Sequence, residues 1–472
     1  MKNLFVKLLF IAVLGFGQIQ LNAQTSAPDL GSQVDESSIH ENNSMNPCVT
    51  EACYEIIENR CKENLKHLKT VQSIHSGIVS LEWPLRAADS LTDCSFYRVS
   101  AYVDQNTASG SFQDFNCGMN TYDGHRGTDI STWPYNYLKM DHKLVEVIAA
   151  APGMIIDKHD GEFDKNCATN TMMPNYVVVQ HADGSRALYL HMKKNSLTAK
   201  AIGESLITGE FIGIVGSSGN SSGPHLHFEV WAGATVASRI DPFKGSCNTL
   251  NAASWWTNQK IYKETAIVKV STNTTDIVIP ACPATEIPNE SNVFQIPFQG
   301  PGLPAGFAKF YIFLRDEISG LIADISILNP DGTVFTNWTY TSAADSKTRI
   351  QGWSKKLPTN PGKYTFKAIY NGITCVSQFE ITLPVQTKTE KVNSDFMIYQ
   401  NPFSDFLKLQ LIEFDQPINY QIISQNGKLI SGSIWPKGQK EIILDLFGLP
   451  AGTYFLKLNG KHGSKVKLFI KI

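Results

Sequence analysis

Several things are scarce in this 472-residue sequence, and each scarcity removes a class of function. Net charge is nearly absent: 41 Lys and Arg stand against 43 Asp and Glu, −2 overall, so the chain has no basic footprint for nucleic acid. Past the N-terminus there is no apolar run of the roughly 20 residues that a membrane span needs. Helical periodicity is scarce from Leu81 onward. A phosphate-binding loop is missing too. The Gly/Ser run GSSGNSSGPH at 216–225 is followed by neither a Lys-Ser/Thr pair nor a helical pattern.

Cysteine, by contrast, is plentiful, with nine in the chain. The first residues account for that. MKNLFVKLLFIAVLGFGQIQLNAQ has Lys2 and Lys7, an apolar stretch from Leu8 to Phe16, and Leu21-Asn22-Ala23 ahead of Gln24. This reads as a secretory signal peptide, residues 1–23, cleaved after Ala23. Its apolar core is too short for an anchor, and no cysteine follows the cleavage site to carry a lipid. Export permits disulfides.

Residues 24–80 form an N-terminal segment. Its first part is polar; from Cys48 to His75, Ile57, Cys61, Leu65 and Leu68 recur at helical spacing, with Asn46-Pro47 as a start signal. A packing helix is the plain reading, and a pro-segment lying over a cleft the sharper one. Residues 81–262 change to short β runs broken by Gly and Asp, with a hairpin signal at Asp183-Gly184. Residues 263–388 read as an immunoglobulin-like β-sandwich, 389–394 as a linker and 395–472 as a small β-sandwich. The fold class is therefore mostly β, with antiparallel sheets and one short N-terminal helical segment. Cys282 and Cys375 are expected to form the middle sandwich's disulfide. Seven cysteines precede it, at 48, 53, 61, 94, 117, 167 and 247, an odd number that leaves one free or paired elsewhere. Cys94 with Cys117 is the expected pair. No cysteine stands beside a motif histidine in sequence, so none is expected in the chemistry.

The chemistry gathers around GPHLHFEV, 223–230. In a strand, His225, His227 and Glu229 share one face while Leu226, Phe228 and Val230 take the other. Two imidazoles on a covered face need polar partners. Further candidates are His125-Arg126-Gly127-Thr128-Asp129, where Gly124 and Gly127 suit a sharp bend, and Tyr189-Leu190-His191, where alternation points Tyr189 and His191 toward a cleft. Catalytic zinc takes about three N or O protein ligands and keeps one open position, which two His and one Asp would satisfy. His40, His67, His75, His142, His159, His181 and His462 lie in no motif.

HRGTD, VEVIAAAPGMI, NYVVVQHADGSRALYLHM and GEFIGIVGSSGNSSGPHLHFEV, in that order over about 120–245, resemble the lysostaphin-type (LytM-like) zinc metalloendopeptidases. The resemblance implies an antiparallel β peptidase domain with an open groove. It implies Zn2+ held by His125, Asp129 and His227, with His191 and His225 as the catalytic residues on the substrate side. Glu229 is expected to orient a histidine from behind. Segments 131–143 and 160–175 depart from the pattern as insertions expected to rim the cleft. The implied substrates are peptides of peptidoglycan, or extracellular glycine-rich proteins such as elastin. A non-catalytic wall-binding or regulatory module is the rival, disfavoured because all five positions are filled. Near the C-terminus, YQNPFSDFLKLQL, SQNGKLI and LDLFGLPAGTYFLKL resemble the sorting domain of type IX secretion, with Gln400 where proline is usual. That implies the type IX machinery as a partner, and a secreted or cell-surface protein that reaches the outside through Sec export and the periplasm.

Overall fold

The structure, a computed structural model, describes residues 32–34, 48–68 and 79–383, and 396–471 except 400, 404–405, 412–415, 426 and 461–462. The signal-peptide reading, the linker at 389–394, Gln400 and His40, His75 and His462 lie outside these residues. The chain forms two compact units, residues 1–383 and 384–472. Both are mostly β, as the alternating apolar pattern led one to expect. No helix among the described residues is long and apolar enough to cross a membrane.

In the first unit an antiparallel sheet runs in the order Tyr97–Ala101, Thr128–Thr132, His225–Trp231, Arg186–Leu190, Tyr176–Gln180, Gly153–His159, Ser205–Leu206. The histidine strand is thus central, bonded on both sides. Gly184, at φ 88°, closes the expected hairpin between Tyr176–Gln180 and Arg186–Leu190. A smaller sheet, Phe211–Ile214, Val145–Ile148 and Leu85–Ala87, covers one face. Leu226, Phe228, Val230, Val177, Val179 and Tyr189 pack on that side.

The other face is covered by the helix Glu51–His67. Thr50 caps it, its side chain accepting from Cys53 N–H at 3.2 Å, so the helix starts later than Asn46-Pro47 had signalled. Its Cys53, Tyr54, Ile57 and Cys61 pack on Ile156, Tyr176, Val178, Leu188, Leu190 and Trp231. With both faces covered, Arg186–Leu190 is buried at every position. This corrects the reading of Tyr189. It points into the core, where its hydroxyl accepts from Ala150 N–H at 2.8 Å. His191 lies just past the strand at φ 65°, so alternation does not carry to it.

Residues 266–382 form two facing sheets over a shared core. Ser32–Val34 adds a strand to one of them, antiparallel to residues 350–352. The expected Cys94–Cys117 and Cys282–Cys375 pairings are both wrong: the disulfides are Cys94–Cys375, Cys117–Cys247 and Cys167–Cys282. The expectation treated each region as self-contained. In fact residues 93–97 run beside the strand Ala266–Asn273, with Ser95 N–H donating to Val268 carbonyl at 2.9 Å. Segment 131–143 joins the same seam, its Trp133 and Tyr135 packing with Tyr311 and Phe313. Segment 160–175 lies along the Gly/Ser loop, with bridges Lys165–Ser217 and Ala168–Ser221. The second unit has two sheets of three and four strands around Leu407, Leu409, Leu456 and Phe469.

Candidate metal centre

His227 lies directly opposite Asp129 in the antiparallel register, so both side chains rise from one face of the sheet. His227 Nδ1 is 2.9 Å from Asp129 Oδ1. His125 sits on the turn before that strand. Asp104 shapes the turn by accepting from Gly124 N–H at 2.9 Å, and Gly124 takes φ 73°. Gly127 cannot carry a side chain: a Cβ there would meet His227 Nε2 at 2.6 Å and Phe228 O at 2.9 Å. The result places His125 Nε2 3.2 Å from Asp129 Oδ2 and 3.3 Å from His227 Nδ1.

The outward-facing nitrogens decide what the inward ones offer. His125 Nδ1–H donates to Tyr102 carbonyl at 2.6 Å. His227 Nε2 faces Glu229 Oε2 at 3.4 Å. Both of these partners accept, so each neutral imidazole turns a lone pair inward. Glu229 is held in turn by Tyr54 O–H on Oε2 and Trp231 Nε1–H on Oε1, both at 2.8 Å. Two lone pairs and a carboxylate converge with no cation among them. This donor set fits a divalent ion of borderline softness.

His191 and His225 flank the trio. Their Nδ1–H groups donate to the carbonyls of Ser218 at 2.7 Å and Gly223 at 2.8 Å. Both Nε2 atoms are buried without a hydrogen-bond partner. His225 Nε2 lies 3.5 Å from Asp129 Oδ1, and the His191 and His225 rings are 4.7 Å apart. The five predicted positions therefore occupy one site. His181 donates to Pro152 carbonyl at 2.7 Å, and His159 pairs with Glu162 at 2.8 Å; neither joins the cluster.

Sequence reasoning missed three members. Tyr122 stacks on His125 at 4.3 Å and its hydroxyl donates to Asp129 Oδ2 at 3.3 Å. Tyr54 reaches Glu229 from the helix. Cys48 is the largest miss: its Sγ is 3.0 Å from His227 Nδ1, and the ligand atoms of Cys48, His125, Asp129 and His227 all lie within 4.8 Å of one another. No cysteine adjoins a motif histidine in sequence, yet folding closes a separation of 179 residues and brings Cys48 to His227. The odd cysteine count was the only signal in the sequence.

Protonation reflects the crowding of acceptors. Burial opposes charge on His125, yet Asp129, aided by Cys48, raises it to about 9. Burial likewise opposes charge on His227, which Cys48, Asp129 and Glu229 raise well above the usual imidazole range. Burial pushes Asp129 up, but His125 and His225 hold it well below the usual carboxylate range. Burial and Asp129 push the Cys48 thiol up while His227, His125 and His191 bring it well down.

Comparison with known proteins bears on the same residues. Residues 124–242 match Peptidase family M23, and residues 397–472 match the secretion system C-terminal sorting domain. A DD-carboxypeptidase/endopeptidase Mpg of Neisseria meningitidis serogroup B is 47% identical over 55 residues, 12% of either chain. The peptidoglycan DD-endopeptidase ShyA of Vibrio cholerae is 43% identical over 56 residues, again 12% of either chain. These matches thus span about an eighth of the curated relatives' length. Among solved structures, the catalytic domain of lysostaphin from Staphylococcus simulans aligns at 23% identity over 31% of this chain and 85% of that one, TM-score 0.20.

Proposed function

We propose that this chain, which carries a Peptidase family M23 domain at residues 124–242 and a secretion system C-terminal sorting domain at residues 397–472, is an exported zinc endopeptidase acting on the stem peptides or cross-bridges of peptidoglycan. One observation carries the reading. The inward lone pairs of His125 Nε2 and His227 Nδ1 stand 3.3 Å apart beside the Asp129 carboxylate. Those three side chains would hold the ion. Zinc suits them better than Ca2+, which takes more oxygens. When bound, zinc supplies a Lewis acid and a water of lowered pKa.

The chain's own groups do the rest. Glu229 fixes the orientation of His227, and the Tyr102 carbonyl that of His125. His191 and His225 have Nδ1–H fixed on carbonyls, so each offers Nε2. The neutral form takes a proton from the attacking water; the protonated form gives Nε2–H to the leaving amine or to the developing oxyanion. Peptidoglycan is favoured over extracellular protein because a curated relative is, by name, a peptidoglycan endopeptidase. The sorting domain supports passage through the type IX machinery after Sec export, and action outside the cell. Residues 81–262 are read as the catalytic domain, 263–388 as a sandwich joined to it and 395–472 as the sorting domain.

The test is hydrolysis with and without zinc, using purified cell walls and elastin as substrates, with products read by mass spectrometry. It is run on the wild type and on Cys48→Ala, because Cys48 stands among the ligands. New amino termini inside wall peptides, lost on chelation, are the expected result. Cleavage of elastin alone, or of neither substrate, would overturn the substrate or the activity.

A further inference from the structure

The helix Glu51–His67 lies on the face of the sheet that carries the histidines, and it is firmly docked there. Ile57 and Cys61 are fully buried against that face. Arg60 forms an ion pair at 2.9 Å with the buried Asp157. Glu58 accepts from Val236 N–H at 2.8 Å, and Arg126 pairs with Glu51. Tyr54 donates to Glu229, the residue behind His227. Docked so, the helix brings Cys48, two residues ahead of its Thr50 cap, into the cluster.

A hydrolytic zinc site keeps one position for solvent, whereas a structural site closes all four with protein ligands. The cluster has four candidate ligands, and three come from the sheet and its preceding turn. The fourth is soft sulfur, a ligand that zinc favours. The orphaned Nε2 atoms of His191 and His225 face the same spot, each buried for nine-tenths or more of its surface.

We propose that Cys48 is the fourth ligand of the ion, and that residues 48–68 are an inhibitory segment which keeps the site closed until it leaves. The inference rests on the reading of the cluster as a divalent metal site. Opening exchanges one ligand: the sulfur–metal bond breaks, the sulfur leaves with its electron pair, and solvent enters. No redox partner is needed.

The experiment loads the full chain with Co2+ in place of zinc and records its absorption spectrum, beside Cys48→Ala and Cys48→Ser. The expected result is a sulfur-to-cobalt charge-transfer band in the wild type. It is absent from both variants, which still bind one cobalt, and hydrolysis of wall peptides rises at least about tenfold in the variants. Identical spectra in all three chains would overturn the proposal while leaving the metal site standing. A wild type that binds no cobalt would overturn both. Thermal unfolding of each variant checks that the fold is intact. If Cys48→Ala does not fold, Cys48→Ser alone decides the outcome.

Discussion

Two clusters of ionisable groups in the first unit are built on opposite plans. At the seam with the sandwich, Asp93 takes Lys139 at 2.8 Å and Lys269 at 2.7 Å, and Lys269 also reaches Glu290 at 3.1 Å. Two carboxylates face two ammonium groups. Burial pushes Asp93 up, but the lysines hold it below the usual carboxylate range. A cavity lined by Asp93, Lys269 and Glu290 adjoins the Cys94–Cys375 disulfide there, and it contains no histidine. At the other cluster, Cys48, His125, Asp129 and His227 converge with no fixed positive charge among them. A balanced cluster asks for nothing more. A cluster of acceptors asks for a cation, because unpaired polar groups taken out of water are costly. The first cluster reads as architecture and the second as a binding site.

The contrast can be broken by experiment. The largest effect is expected at the acceptor cluster. Zinc at about 1,000 times its Kd should stabilise the wild type by about 4 kcal/mol. Asp129→Ala should lose that increment together with all hydrolysis, as denaturant unfolding with and without zinc would show. Next comes Asp93→Ala, which strips the buried Lys139 of its carboxylate and leaves Lys269 with Glu290 alone. A loss of about 3–5 kcal/mol is expected, equal in the presence and absence of zinc. A zinc-dependent loss there would erase the distinction between the clusters. Third, in chains opened by Cys48→Ala, adding His225→Gln should lower turnover about 10²–10³-fold with zinc content unchanged. Smallest is Glu229→Gln, expected to weaken zinc binding about 10–100-fold by loosening the orientation of His227. Unchanged zinc affinity in that variant would reduce Glu229 to packing.

What could be read from the sequence followed from local pattern. Ile322–Leu328 alternates because one of its faces is partly exposed, and its periodicity is plain in the residues. His225, His227 and Glu229 separate from Leu226, Phe228 and Val230 even though their strand is buried at every position, because the polar set lines the cluster and the apolar set the core. Tyr189 misled because helix and core cover both faces of its strand, so apolar and polar positions no longer mark in and out. The disulfides were illegible because each of two cysteines, Cys94 and Cys167, finds its partner across the seam between regions. Cys48 was illegible for a related reason: nothing near it in sequence hints at His227. Its place depends on a docked helix and a central strand, and only the folded chain brings them together. The five motif positions come together because three neighbouring strands, Thr128–Thr132, His225–Trp231 and Arg186–Leu190, and the turns beside them carry them all.

The most direct test of the metal site is elemental analysis of the purified full chain beside His125→Ala, Asp129→Ala and His227→Ala. One zinc per wild-type chain, with none retained by any of the three variants after dialysis, is the predicted result. A wild type free of metal after purification and reloading, or variants that hold zinc as well as it does, would contradict the account.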